Sequence, residues 1–385
     1  MAWLSNDWTY RRGIIIDNTS NSNDLTDYQV KITLDNTNFD FSHANSDGSD
    51  IRFTDNDGST LLYHWIEKWD STNQEAIIWV KVPSIPGSST KTIYMYYGNA
   101  SASDASDGDN TFIVFDDFDG ADLDTNKWNI VQGSVSVSDS CLILTGTSST
   151  RGLIESVTSF SIGKIVQSKA RSDSNNCFHL NHFCSMRSPG SWNNKVDLYG
   201  YIDNANQVMF HTAKDGNETQ STIDINEPSS FHIYKVSWKP DEAKAYQDDT
   251  LLKTHTTNIP TVDMVVAFYE ANASGYNAYI DYVFVREFTD PEPTTSVGNE
   301  TTNYAISGQV TLEGNPVENA KVRAICQDDN SYAGDTTTDE NGNYKIEGLL
   351  GSKKYHIIVE YTDPDTGQKY NAESKWDITP VEESS

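Results

Sequence analysis

Cysteine is scarce in this chain of 385 residues: Cys141, Cys177, Cys184 and Cys326 are all there is. Four scattered thiols cannot build a disulfide framework. Basic residues are also few, 27 Lys and Arg against 56 Asp and Glu, giving a formal charge of -29. A surface that acidic repels phosphate backbones, which argues against a nucleic-acid partner. Long apolar runs are missing; the longest is Met264 to Tyr269. A spanning helix needs ~20 such residues, so none is expected. No stretch sustains apolar residues at i, i+3, i+4 and i+7, which leaves helices without a signal. The start, Met1-Ala2-Trp3-Leu4-Ser5-Asn6-Asp7, has neither a basic region nor an apolar one. The stretch is therefore not expected to be a secretory signal; either one has been removed, or the protein leaves the cell by another route such as assembly into a virus particle.

What is present is strand material. Ile14-Ile15-Ile16, Gln29 to Leu34, Ala76 to Val82 and Thr92 to Tyr97 are short runs rich in β-branched and aromatic residues. Asp-Gly and Asn-Gly pairs recur between such runs, for example at Asp57-Gly58, Asp215-Gly216 and Asn341-Gly342. Apolar residues make up 36% of the chain, enough for several cores. Short strands at regular spacing without helices point to β-sandwiches.

Two composition shifts suggest boundaries. Residues 98–111 are small and acidic, and residues 289–303, rich in Pro and Thr, read as a semi-extended linker. Three domains follow, at 1–108, 109–290 and 303–385. Asp50, Arg52 and Asp55 flank the apolar Ile51 and Phe53, a half-buried strand pattern that an Arg52–carboxylate pair would pin.

Each segment carries recognisable motifs. The first has Trp8-x-Tyr10-Arg11, Asp50 to Asp55, Trp79 to Pro83 and Tyr96-Tyr97-Gly98-Asn99. It resembles a domain of unknown function that often precedes LamG-type modules in surface proteins. The second opens Phe115-Asp116-Asp117-Phe118-Asp119-Gly120, then has Phe231 to Asp241, and closes Tyr279-Ile280-Asp281-Tyr282-Val283. It resembles the concanavalin A-like jelly roll of LamG-type lectin modules and laminarinase-like β-glucanases. The third has Ile306 to Val310 and Thr338 to Leu349, including Asn341-Gly342-Asn343-Tyr344. It resembles the carboxypeptidase regulatory-like domain, a transthyretin-like sandwich. The expected fold is thus all-β, three sandwiches in tandem. Gly342 is expected at a left-handed turn, with Tyr344, Ile346 and Leu349 in the core.

Catalytic chemistry finds little support. The glucanase relatives carry a Glu-x-Asp-x-Glu strand or a close variant, and no such motif occurs between 109 and 290. The strand around Asp197 puts Asp197, Tyr199, Tyr201 and Asp203 on one face. Its two acids are six residues apart, about 20 Å at ~3.3 Å per residue, too far for paired acid–base work. Cys177-x-His179-x2-His182-x-Cys184 has the residue types of a zinc set. In an extended strand those ligands split between two faces, so an ordinary strand is the competing reading. The jelly-roll resemblance implies a structural calcium, with Asp117 and Asp281 at the matching positions, completed by carbonyls and water.

The candidate recognition surface comprises Trp192, Asp197, Tyr199 and Tyr201. Trp192 lies in Pro189-Gly190-Ser191-Trp192-Asn193-Asn194, a loop-like sequence in which a large ring is hard to bury. Aromatic faces stack on sugars while acids and amides bind hydroxyls. The competing reading packs the tyrosines inside the sandwich. The resulting expectation is a non-catalytic, extracellular-facing structural and recognition protein: a virus-particle spike, turret or fibre, or a cell-surface adhesin. Its partners would be a host glycan or receptor and further virion or cell-surface subunits, as a homo-oligomer. The alternatives are a carbohydrate-binding accessory of a glycan-degrading system and a purely architectural subunit.

Overall fold

The computed structural model describes residues 3–5, 7–147, 152–173, 182–200, 206–270, 274–302, 304–328, 330–349, 353–371 and 375–382. Strands dominate. Among the described residues helix is confined to a 3-10 turn at Phe41–His43 and a four-residue helix at Gly108–Thr111. The all-β class read from the sequence is the one observed. The chain divides into two compact units, Met1–Thr26 with Val30–Asp107 and Pro293–Ser385, and Asp27–Gln29 with Gly108–Glu292.

The first unit begins with a five-stranded and a three-stranded antiparallel sheet. Leu25–Asp35 shows how the sequence makes them: Val30, Ile32 and Leu34 are buried, and the residues between them are not. That period of two is the strand signature. Asp50 is fully buried, and three backbone amides donate to its carboxylate: Asn45 at 2.9 Å, Gly98 at 2.6 Å and Asn99 at 3.2 Å. Arg52 does not form the expected carboxylate pair. It donates instead to the carbonyls of Ser49, Ile51 and Ser103. Side chains here bind backbone because the segment after Tyr97 has no ladder of its own, and its amides and carbonyls need partners. The small, acidic stretch from 98 is thereby strapped down.

The stretch 289–303 also departs from expectation. Thr294–Thr302 is a strand, paired antiparallel with Tyr10–Asp17 along its length. Tyr10–Asp17 pairs on its other side with Thr90–Tyr97. The prolines at 291 and 293 precede the strand, and the Thr and Val residues after them suit an edge that is half exposed. Gly298 is required there, since a Cβ would come within 2.9 Å of the Gly13 carbonyl oxygen. The first sandwich is therefore discontinuous in sequence: the long segment between Tyr97 and Thr294 is inserted between two strands that flank a third.

The remainder of the first unit holds a further small set of sheets, led by Tyr304–Gln309, Lys321–Cys326, Asn343–Leu349 and Tyr355–Thr362. Tyr344, Ile346 and Leu349 enter its core with Val322, Ala324 and Ile357. Gly342 has φ 72, the left-handed value expected, and a Cβ there would meet the Val310 oxygen at 2.5 Å.

The second unit is a jelly-roll sandwich of an eight-stranded and a seven-stranded antiparallel sheet. Its core draws on both, with Val166, Val236, Trp238 and Val283 from the first and Met186, Val196, Leu198, Phe210 and Phe268 from the second. Val114–Asp116, near its start, pairs with Ser274–Glu287, near its end.

Candidate recognition face of the seven-stranded sheet

The seven strands run, edge to edge, Asn217–Asp224, Gln207–Lys214, Ser191–Gly200, His182–Ser188, Val265–Glu270, Gly152–Ser156 and Trp128–Gln132. Alternation sends Val196, Leu198, Met186, Val266, Phe268 and Ile154 into the core. Their neighbours Asp197, Tyr199, Ser185, Arg187, Tyr269 and Glu155 therefore occupy the opposite face. Register then aligns a polar row across the sheet. Gln220 pairs with His211, His211 with Asp197, and Asp197 with Ser185. One step beyond the Met186–Val266 pair the row passes Ala267, which pairs with Glu155, and Glu155 pairs with Asn129.

The row is tightly bonded. The Ser185 hydroxyl donates to the Asp197 carboxylate. Arg187 Nε donates to Glu155 Oε1 at 2.6 Å, and the Gly190 amide donates to the same oxygen at 3.0 Å. The small Ala267 on the intervening strand leaves room for that pair. Both partners are buried, so each charge depends on the other. His211 Nε2 lies 3.3 Å from Glu218 and 3.2 Å from the Gln220 amide nitrogen, while its Nδ1 is buried without a hydrogen-bond partner. Burial, then the Lys195 charge, lowers the His211 pKa and favours the neutral ring.

Trp192 is not in a loop. It lies at the start of the Ser191–Gly200 strand, where the register slips between Arg187–Lys195 and Ser188–Ser191. The bulge turns the ring over the outer face. The Arg187 guanidinium sits 4.3 Å from the ring centre, Lys195 Nζ 5.8 Å away, and the Tyr269 ring 6.1 Å away. The ring is half buried. Tyr199 shares the face of Asp197, its hydroxyl 2.9 Å from the Met209 sulfur and its ring 6.3 Å from His211. Of the four residues expected at a recognition surface, the structure thus brings Trp192, Asp197 and Tyr199 to one face; Tyr201 lies outside the described residues. No motif of the sequence marks Arg187, Glu155, Ser185 or Tyr269, and His211, isolated in the sequence, joins them through its pairing with Asp197. The alternation Phe183-Cys184-Ser185-Met186-Arg187 could have revealed two of them.

Glu155 and Asp197 are the buried acids of the row, three strand spacings apart. At ~4.8 Å per strand that is about 14 Å, beyond both the ~5 Å of retaining and the ~9.5 Å upper limit of inverting glycosidases.

The metal candidates are less developed. Cys177 and His179 lie outside the described residues. Cys184 is buried in the core, its thiol donating to the Val166 carbonyl at 3.2 Å, and burial raises its pKa far from thiolate character. Asp117 is half buried; desolvation and the charges of Asp119 and Asp116 raise its pKa. Asp281 is paired with Lys169 Nζ at 2.6 Å. Among the described residues no three His, Cys, Asp or Glu side chains converge as a metal set. Calcium between Asp117 and Asp281 would thus draw most of its 6–8 oxygens from carbonyls and water.

Residues 47–131 match the family described as Domain of unknown function (DUF2341), and residues 305–373 match the Carboxypeptidase regulatory-like domain. A curated relative, the uncharacterized protein MJ1472 of Methanocaldococcus jannaschii, is 27% identical over 133 residues, 32% of this chain. The match spans only 24% of that relative's own length. Similar solved structures include a prokaryotic beta-1,3-1,4-glucanase (lichenase) from a mouse hindgut metagenome, at 15% identity and TM-score 0.41, covering 45% of this chain and 98% of that one. The endo-beta-1,3-glucanase of Pyrococcus furiosus is 13% identical with TM-score 0.40, covering 46% and 94%. The beta-glucanase of Bacillus licheniformis is 19% identical with TM-score 0.37, covering 46% and 97%. The family matches thus fall on residues 47–131, running from the first unit into the start of the second, and on residues 305–373 of the first unit.

Proposed function

We propose that this is a non-catalytic, extracellular-facing recognition protein that binds a glycan or receptor on the outer face of the seven-stranded sheet. The observation that carries the reading is the cluster of Trp192, Arg187 and Tyr269 beside Asp197 and Tyr199. The half-buried Trp192 ring supplies flat apolar surface for a sugar face, over a bed of buried polar groups and rings that fixes its position. The wide separation of Glu155 and Asp197, and the partners that already hold each, support binding without hydrolysis. In this reading the sandwiches around the face serve as stalk and mount on a virus particle or cell surface, assembled with like subunits. The test is a glycan array together with attachment to host cells. Binding of a defined glycan class supports the reading; a blank array with no cell attachment favours a purely architectural subunit.

Calcium at Asp117 and Asp281 belongs to the same proposal as a structural element. A cation there would relieve the repulsion that Asp117 feels from Asp116 and Asp119. Millimolar calcium should then raise the melting temperature by mass action, and Asp117→Asn with Asp281→Asn should abolish the rise. A calcium-dependent shift that survives both changes would place the ion elsewhere, and no shift at all would remove it.

A further inference from the structure

Several arginines of the chain reach a glutamate: Arg12 meets Glu300, Arg187 meets Glu155, Arg286 meets Glu292 and Arg323 meets Glu360. Arg171, on the Lys164–Ser172 strand of the eight-stranded sheet, meets no carboxylate among the described residues, although acids outnumber bases 56 to 27. Register shows what surrounds it instead. Ala170 pairs with Ile280 and both enter the core, so Arg171 and its partner Tyr279 face outward. Tyr279 pairs in turn with Ile143, and Phe231 precedes His232, the partner of Ala170 on the other side. The outer row therefore reads Ile143, Tyr279, Arg171, Phe231, with no acid in it. The acids next along these strands are engaged elsewhere: Asp281 meets Lys169 Nζ at 2.6 Å, and Asp173 accepts from the Asn277 amide at 2.9 Å. The guanidinium carbon of Arg171 lies 3.8 Å from the centre of the Tyr279 ring and 5.2 Å from that of Phe231. The side chain is half buried; its nitrogens donate to no acceptor among the described residues, and none of them is buried without a partner. The fork is thus held by rings and open to water.

We propose that this row binds an acidic glycan through a sugar carboxylate, with Arg171 as its anchor and Phe231 as the platform for the sugar ring. A guanidinium steadied by a ring loses little freedom on meeting a carboxylate, and its planar fork matches two oxygens. A uronic acid carries its carboxylate directly on the sugar ring, so it meets the fork and the 36% exposed phenyl ring together. A carboxylate on a flexible stem, as in an acidic peptide, would leave the phenyl ring bare. The row lies on the sheet opposite Trp192, so neither proposal depends on the other.

The experiment titrates the full chain with trigalacturonic acid, with its trimethyl ester as the neutral counterpart, and with triglutamate as an anion lacking the sugar ring. Isothermal calorimetry reads affinity, and melting curves read folding. Trigalacturonic acid should bind about tenfold more tightly than either comparison ligand. Arg171→Gln should weaken it about tenfold, and Phe231→Ala, a change at a partly exposed ring, about threefold at nearly unchanged melting temperature. Lys253→Gln, which removes an exposed charge elsewhere on the same sheet, should leave affinity as it was. Equal binding of the ester would overturn the carboxylate, and equal or tighter triglutamate would overturn the sugar ring. Unchanged affinity in Phe231→Ala and in a folded Arg171→Gln would overturn the location. A loss in Lys253→Gln as large as in Arg171→Gln would reduce the effect to general charge attraction and overturn the site.

Discussion

His64 is buried beside Phe53, with Nε2 lacking a hydrogen-bond partner. Burial, reinforced by the nearby Arg52 charge, lowers its pKa to about 4 from an ordinary 6.5. Protons therefore bind the unfolded chain first. The stabilising share is complete above pH 6.5, declines as pH falls, and is gone near pH 4. Its size is about 3 kcal/mol. Urea denaturation of the wild type and of His64→Leu at pH 7 and pH 4.5 should show a steeper acid loss for the wild type; equal losses would contradict this account of His64. Arg187, also buried, is differently placed: Glu155 lies 2.6 Å from its Nε and the Trp192 ring covers its guanidinium.

At the scale of elements, Thr294–Thr302 changes what the first sandwich is. Beyond its ladder, Glu300 is gripped by side chains: the Tyr97 hydroxyl donates at 2.7 Å, His43 Nδ1 lies at 3.0 Å, and Arg12 at 3.7 Å. A chain truncated after Glu292 should lose this edge strand and leave Tyr10–Asp17 with unpaired amides. Its first sandwich should unfold at lower urea or aggregate. An unchanged transition would mean that residues 293–302 are dispensable, as a linker would be. The sequence showed strands with a buried face well, because Val30, Ile32 and Leu34 alternate with polar neighbours. It hid this edge strand because half-exposed edges are rich in Thr, Ser, Asn and Glu, the same residues that fill linkers. Trp192 was obscured similarly: Pro-Gly-Ser-Trp-Asn-Asn reads as a loop, while a register slip absorbs the extra residues into a strand.

For the whole molecule, the arrangement is a jelly roll inserted between two strands of a discontinuous sandwich, followed by a carboxypeptidase regulatory-like domain. The terminal motifs were legible as residues close together in sequence. The recognition face was only partly so, since its polar row is assembled from strands that the chain visits at 129, 155, 185, 197, 211 and 220. Only pairing register brings those positions together. The most direct test of the recognition account is the dissociation constant of the wild type and of Trp192→Ala for a glycan identified on the array, with melting curves of both. The account predicts a loss of about tenfold or more in affinity, at a stability cost of only about 1 kcal/mol for the missing ring–guanidinium contact. Unchanged affinity with a large drop in melting temperature would contradict it, and would make Trp192 a structural cap over Arg187.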